Sequence, residues 1–233
     1  NRWIINCYHF DIDKKISQKK MLENFNRIMR FAIHLPIFKK LNLKKGFFLL
    51  HGSGVVYKSN ATIFIGLNKV GKSTLSSFIV ENSNAKFLSD NFIISDGYNV
   101  YPFFERIRLD EKSLNFLKIN KSNNYLYSKY HLEIFDKIHE DKSRLKNVYI
   151  VNNSQDFSIN KLNNKDGLRL VHNISNLLQE FPEYHYLTLI DYLLNTNKKY
   201  ELEFDKKINF NIITLPKDFS LRKNLKNIIK CIY

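Results

Sequence analysis

The sequence is poor in cysteine, glycine and proline, and the shortage of cysteine excludes one class of protein. Of its 233 residues, two are Cys, seven are Gly and four are Pro. Cys7 and Cys231 have no metal-binding spacing and no second pair, which excludes a disulfide framework and indicates free thiols in a reducing compartment. No apolar run approaches a membrane span, and the N-terminus has neither an initiator Met nor a signal-peptide pattern. We therefore expect a cytoplasmic protein with a trimmed N-terminus.

Acidic residues are also scarce. The chain has 37 Lys and Arg against 22 Asp and Glu, a net charge of +15. This excess is compatible with nucleic-acid or anionic-membrane binding. The lysines occur in scattered pairs, however, and the abundant Asn and Ile are typical of an AT-rich genome. A solvated basic surface that attracts phosphorylated or acidic partners is the favoured interpretation, and nucleic-acid binding remains an alternative.

The apolar fraction of 44% in a chain of this length predicts a single domain with a substantial core. We find no internal repeat, linker-like composition or domain boundary. A homo-oligomer is compatible with the sequence.

Four of the seven glycines lie close together, at Gly52, Gly54, Gly66 and Gly71. The last two belong to the stretch 61–74, ATIFIGLNKVGKST, in which an apolar run passes into Gly-x-x-x-x-Gly-Lys-Ser. This is the phosphate-binding loop pattern. Its flanks agree with it, because residues 61–65 read as a buried strand and the apolar residues after the loop follow a helical period. The alternative is a glycine-containing turn that matches by accident.

Each residue type in this pattern has a chemical reason. Backbone N–H groups wrap the phosphates, the Lys reaches the β- and γ-oxygens, the Ser offers a hydroxyl to Mg²⁺, and the helix points its positive end inward. Glycine lets the backbone approach closely. The predicted nucleotide-binding residues are Gly66, Asn68, Lys69, Val70, Gly71, Lys72, Ser73 and Thr74.

Two polar residues flank the loop in sequence. His51 ends the first of two strand-like runs within 46–57, which a bend at the glycines should separate; its alternatives are a structural role and a site role. Asp90 ends a short predicted strand, where an oxygen would suit Mg²⁺ or its bound water. A turn-forming Asp is the alternative there. The predicted metal ligands are Ser73 and Asp90.

Arg106 and Arg108 would share one face of a strand and reach phosphate on a substrate, although surface arginines commonly have no such role. Residues 110–146 are polar, with helical patches, and we interpret them as an insertion that either faces the substrate or is mobile.

The remaining pattern predicts strands and helices in alternation. Strands are expected at 2–10, 99–103 and 105–109, a pair of strands at 148–151 and 157–162, and a closing hairpin at 200–204 and 208–215. Helices are expected from Ser17, from Leu170 to Leu178, after Pro182, and at the C-terminus.

From His51 to Asp90 the sequence resembles the HPr kinase/phosphorylase catalytic domain and, more distantly, ATP-dependent phosphoenolpyruvate carboxykinase. The resemblance rests on LHGSGVVYKSNATIFIGLNKVGKSTL, then FLSDN, and on the short distance from Lys72 to Asp90. It implies an α/β fold, a P-loop-containing mixed sheet of the HPr kinase/phosphoenolpyruvate carboxykinase type with flanking helices.

The resemblance also implies catalytic roles for Asp90, His51 and Lys72, with ATP and Mg²⁺ bound. Asn91 replaces the second acid of the family's pair and cannot act as a base. The Arg-Gly-Leu-Gly segment and N-terminal domain of true HPr kinases are absent, which suggests a stand-alone member. We expect a phosphotransferase acting on a hydroxyl, with serine of a peptide or protein, or a small serine-like molecule, as acceptor. The rival is a non-catalytic nucleotide-binding module that acts in regulation or with nucleic acid.

Overall fold

A computed structural model describes residues 37, 47–103, 107–120, 125–126, 129–132, 135–174, 203–216 and 227–230. These residues form a large mixed β-sheet with flanking helices and a small second sheet. The strands of the large sheet are β1 Phe48–Tyr57, β2 Asn60–Ile65, β3 Lys86–Ser95, β4 Asn99–Tyr101, β8 Ser143–Ser154, β9 Ser158–Leu162 and β10 Asn209–Pro216. The small sheet contains β5 Ile107–Leu109, β6 Tyr125–Leu126 and β7 Lys129–Leu132.

Three helices and one short turn accompany the sheets. They are α1 Lys72–Glu81, α2 Glu111–Leu117, α3 Asn164–Ile174 and a 3₁₀ turn at Phe135–Lys137, and residues 227–230 are also helical. No helix among the described residues combines the length and apolar character needed to cross a membrane.

The large sheet partly closes on itself. Strand β1 lies antiparallel between β2 and β3, and β4 is antiparallel to both β3 and β8. Strand β8 runs parallel to β2 as well as to β10, so β1, β2, β8, β4 and β3 complete a ring of pairings. Strands β10 and β9 extend the sheet beyond this ring. A closed ring leaves fewer unpaired strand edges.

Alternation along the strands divides the core into two clusters, one on each face of the sheet. In β2, Ile63 and Ile65 belong to one cluster and Phe64 to the other. The Phe64 side is covered by α1 and α2, whereas Val171 of α3 packs on the Ile63 side. Helix α1 has the apolar period expected for this position, with Leu75, Phe78 and Ile79 buried.

The predictions of β2, α1, β4, α3 as far as Ile174 and a helical segment at 227–230 are confirmed. Other predictions are wrong, wholly or in part. Strand β1 is one continuous strand without the expected bend. Strands β8 and β9 are not paired, because β10 lies between them. Of the expected closing hairpin, the second strand at 208–215 is present as β10, residues 203–204 are not in a strand, and residues 200–202 lie outside the described residues. Within 110–146, where the sequence indicated helical patches, α2 and the 3₁₀ turn at Phe135–Lys137 are helical, whereas Lys129–Leu132 form strand β7.

Several predicted elements lie outside the described residues. They are the strand at 2–10, the helix from Ser17, residues 175–178 of the third helix, the helix after Pro182, Arg106, and most of the C-terminal helix.

The continuity of β1 depends on its glycines. A Cβ built on Gly52 would lie 2.6 Å from the Phe64 carbonyl oxygen of β2, too close for any other residue without a backbone shift. Gly54 is less restricted, since its Cβ would meet only the Leu88 and Ile93 side chains, at 3.1 and 3.2 Å. The glycines therefore let β1 pack tightly instead of bending it.

We expect Gly52→Ala to destabilise the protein by about 1 to 3 kcal/mol, because the added methyl group pushes against backbone. Gly54→Ala is the matched control and should cost less, because flexible side chains can adjust. Urea unfolding of the two variants checks this order. Equal losses for both variants would contradict the close approach at Gly52.

Candidate functional site

The loop between β2 and α1, residues 66–71, has a backbone that its glycines make possible. A Cβ on Gly66 would lie 2.5 Å from the carbonyl oxygen of Val151 in β8, so this position is held against the neighbouring strand. Gly71 has a φ of 96° and Lys69 a φ of 64°, both left-handed. Left-handed residues among helical ones turn successive N–H groups into a common concavity that suits an anion.

One side chain anchors this loop while its tip faces solvent. Val70 is buried in the core under α1, whereas Leu67, Asn68 and Lys69 are exposed, Leu67 to 59%. The backbone at the tip is therefore accessible to a ligand, and its base is fixed.

Lys72, the first residue of α1, is buried beneath the loop. Its ammonium donates hydrogen bonds of 2.8 Å to the carbonyl oxygens of Gly66 and of Leu67. A charged group in this position needs such partners, because burial otherwise penalises the charge. The lysine thus holds the two ends of the loop together.

Ser73 joins α1 to the sheet. Its hydroxyl donates a 2.7 Å hydrogen bond to Oδ1 of Asp90, which is only 3% exposed. Asp90 pairs across the strands with Ser53 of β1, which is also buried. The sequence predicted that Asp90 would end a strand, and this is wrong, since it lies within the ten residues of β3.

A β-bulge explains why Asp90 faces α1. Val55 pairs with Phe87 and Gly54 pairs with Ser89, which leaves Leu88 as the extra residue of β3. Phe87 packs in the core under α1, and strict alternation would turn Asp90, three residues later, to the opposite face. The extra residue reverses the alternation, so the carboxylate meets Ser73.

Asn91 follows with a left-handed φ of 72°, opposite Gly52. Asn adopts this conformation more readily than most residues that carry a side chain. The residue that departs from the family pattern therefore has a conformational role here.

His51 lies within β1 and not at a strand end. It is buried at 6% exposure and pairs with Phe92. It is two positions before Ser53 in the strand, so the two side chains share one face of the sheet, with Asp90 beside Ser53. The structure places His51 on the Asp90 side of the sheet.

Thr74 links the loop helix to α2. Its hydroxyl and that of Ser113 are 2.9 Å apart, and the N–H of Ser113 donates to Oδ1 of Asp110, the N-cap of α2. The Thr74 side chain is thus engaged within the protein, which leaves its backbone for any phosphate contact.

The small sheet brings two further cations to this region. Leu109 of β5 is buried under α1, and Tyr130 of β7, opposite it, packs against the same core. Arg108 and Lys129 adjoin these residues, so both lie on the other face of the small sheet. Burial and the nearby Arg108 lower the pKa of Lys129, while Asp90 and Asp110 act in the opposite direction and Lys69 lowers it further.

The structure therefore gathers most of the predicted site residues around one loop. Gly66 to Thr74 and Asp90 are there, and His51 shares the Asp90 face. Arg108 lies in β5 on the same face of the small sheet as Lys129, and Arg106 lies outside the described residues. Sequence reasoning missed Ser53, Ser113 and Lys129. The period of two from His51 indicates Ser53, but nothing in the polar stretch around Lys129 signals its position.

Across the described residues, no group of three or more His, Cys, Asp or Glu side chains comes together as a metal site. The predicted metal ligands Ser73 and Asp90 lie in contact, through Ser73 Oγ and Asp90 Oδ1.

Comparison with known proteins gives little further information. No family model matches the sequence, and no curated protein matches it. Among solved structures, the Hpr(Ser) kinase/phosphatase from Coxiella burnetii is a remote structural neighbour, with a TM-score of 0.35 and 8% sequence identity over 79% of this chain and 93% of that chain. A similarity of this size establishes no shared function, so the chemistry of the site rests on its own residues.

Removing a negative or a positive charge near Lys129 should shift the pKa of Lys129 in opposite directions. Asp90→Asn should lower the pKa of Lys129 further, because it removes a stabilising negative charge, and Arg108→Gln should raise it, because it removes a repelling positive charge. NMR titration of the Lys129 side chain measures both. Shifts in the same direction would contradict the arrangement.

Proposed function

We propose that this chain is an ATP-dependent phosphotransferase that moves the γ-phosphoryl group to a hydroxyl. The acceptor class is serine, in a peptide or protein or as a small serine-like molecule. The observation that carries this proposal is the hydrogen bond between Ser73 and Asp90, which joins a buried carboxylate to the glycine loop and the start of α1. The glycine loop, the Lys72 ammonium and the Asp90 carboxylate would then act on the same phosphates, as phosphoryl transfer requires.

The loop and α1 support the phosphate-binding part of the proposal. The first turn of α1 contains no acidic side chain, so its positive end is not neutralised from within. The N–H groups of residues 66–74 would bind the phosphate oxygens. Lys72, at the base of the loop, would add a positive charge to the β- and γ-phosphates.

The oxygen pair of Ser73 and Asp90 fits Mg²⁺. Magnesium prefers oxygen ligands and usually takes one or two from protein, with the remainder from phosphate and water. The two oxygens lie 2.7 Å apart, and phosphate and water would supply the remaining ligands. When bound, the ion neutralises charge on the transferring phosphates.

Transfer then needs little covalent chemistry from the protein. The acceptor oxygen forms a bond to the γ-phosphorus as the bond to the ADP oxygen breaks, and the hydroxyl proton passes to Asp90. Positioning and charge stabilisation supply most of the acceleration. Because Asn91 cannot accept this proton, Asp90 serves both as metal ligand and as base, and His51 lines the metal or acceptor side.

We expect Lys72→Ala to reduce phosphate transfer at least about a hundredfold, because it removes the positive charge that would stabilise the transferred phosphoryl group. Lys58→Ala is a control, since Lys58 is an exposed lysine in the β1–β2 turn. The assay offers ATP labelled at the γ-phosphate to serine peptides and free serine, with mass spectrometry of the products. Wild-type rates in Lys72→Ala would overturn the loop assignment.

Asp90→Asn should leave nucleotide affinity within a few-fold of wild type and reduce turnover about a hundredfold or more, because it removes the proton acceptor while keeping the shape. Calorimetry with an ATP analogue and the same transfer assay measure the two effects separately. A variant with the normal rate would refute the role of base. Nucleotide binding by the wild type without transfer to any acceptor would instead favour the non-catalytic module.

A further inference from the structure

The first turn of α1 contains backbone N–H groups that the helix itself does not use. The N–H of Leu75 donates a 2.8 Å hydrogen bond to the carbonyl oxygen of Gly71, the N-cap, and so begins the helical pattern. Gly71 has no side chain that could cap the turn. The N–H groups of Ser73 and Thr74 therefore have no partner inside the helix and point beyond its start, towards the loop.

The side chains of the same two residues hold this turn from two directions. Ser73 Oγ lies 2.7 Å from Oδ1 of Asp90 in β3, and Thr74 Oγ1 lies 2.9 Å from Ser113 Oγ in α2. Successive residues of an α-helix are about 100° apart around its axis. One contact therefore fixes the turn against the sheet, and the other fixes it against α2.

Ser113 is itself held in place. Its N–H donates a 2.8 Å hydrogen bond to Oδ1 of Asp110, the N-cap of α2. The next residue, Leu114, is buried in the core that also contains Phe78 of α1. Ser113 and Thr74 are only 4% and 5% exposed, so solvent competes little for their hydroxyls.

A second contact between α1 and α2 lies one turn further along. The rings of Phe78 and Phe116 have centroids 6.0 Å apart. Phe78 is four residues after Thr74 and Phe116 is three after Ser113, so each helix presents both contacts on one face. The ring contact is non-directional, whereas a hydrogen bond between two hydroxyls requires a narrow range of distances and angles. The hydroxyl pair therefore sets how α2 meets the first turn of α1.

We propose that Ser113 is a positioning residue for phosphate binding: its hydrogen bond with Thr74 fixes the first turn of α1 so that the N–H groups of Ser73 and Thr74 meet the phosphates of the nucleotide. Ser113 acts through Thr74 and not by contact with the nucleotide. The proposal rests on the phosphotransfer function above and adds α2 to the elements that shape the nucleotide site.

The experiment separates the phosphates from the rest of the nucleotide. Calorimetry measures the Kd of ATP and of adenosine, and the ratio of the two isolates the contribution of the phosphates. We expect Ser113→Ala to weaken ATP binding about fivefold or more and to leave adenosine binding within about twofold, because only the phosphates use the displaced N–H groups. A merely structural role would weaken the binding of both ligands alike.

A double-mutant cycle tests whether the two hydroxyls act as one pair. Thr74→Val keeps the N–H and removes the hydroxyl, so it should show the same loss of ATP affinity. The double variant should lose no more than the weaker-binding single variant, because no hydroxyl is then left without its partner. Losses that add would overturn the proposal. If Ser113→Ala does not fold, as judged by circular dichroism, Thr74→Val tests the same bond.

Ser95→Ala is the matched control. Ser95 is fully buried, and its hydroxyl donates a 2.7 Å hydrogen bond to the Asn99 carbonyl oxygen in the turn between β3 and β4. This variant should lose stability in urea unfolding while the ratio of the two Kd values stays at its wild-type level. An unchanged ratio in Ser113→Ala, or an equal fall in Ser95→Ala, would overturn the proposal.

Failure of phosphotransfer itself is distinguishable. If the wild type binds ATP but transfers no phosphate, the ratio still tests Ser113. If it binds no ATP, amide hydrogen exchange of the free chain takes the place of the ratio. Ser113→Ala should then speed exchange of the Leu75 amide at least about fivefold and leave the Ile79 amide, one turn later, within about twofold. A selective change at Leu75 would support the positioning of the turn while the enzyme proposal fails, and an equal change or no change at both amides would refute it.

Discussion

The hydrogen bond from Ser73 to Asp90 is the interaction on which the site depends. A carboxylate buried to this degree needs a donor, and the donor comes from the helix that follows the glycine loop. The bond therefore fixes the start of α1 against β3, and with it the direction in which the loop opens. It also requires the bulge at Leu88, since without that extra residue the carboxylate would point into the opposite core.

The local parts of this arrangement were predictable from sequence. The strand, loop and helix around residues 61–81 follow from apolar period and glycine placement, which act over a few residues. The residues Lys72, Ser73 and Asp90 follow from the motif and its resemblance to a kinase family. The sequence did not predict which strands pair with each other or where a β-bulge occurs. The bulge in β3 depends on pairing with β1, and the insertion of β10 between β8 and β9 depends on a pairing about sixty residues apart in sequence.

The same limit explains why Lys129 was missed while Arg108 was found. Arg108 lies in a strand whose alternation can be read from the sequence. Lys129 belongs to a short strand in a polar stretch, and its position follows only from pairing with β5. Likewise, the glycines of β1 suggested a bend because glycine commonly marks turns, whereas here Gly52 permits a close backbone contact with β2. The sequence pattern therefore predicted a bend at Gly52, whereas the structure needs a residue without a side chain there.

The close contact between Gly66 and Val151 has a consequence for folding. The loop reaches its conformation only when β8 has paired with β2, and these strands are distant in the sequence. Contacts of such long range form slowly, because loop-closure entropy must first be overcome. A nascent chain that has emerged only as far as α2 therefore contains the whole glycine motif but lacks the strand that shapes it. The loop acquires its conformation late, as the ring of strands closes.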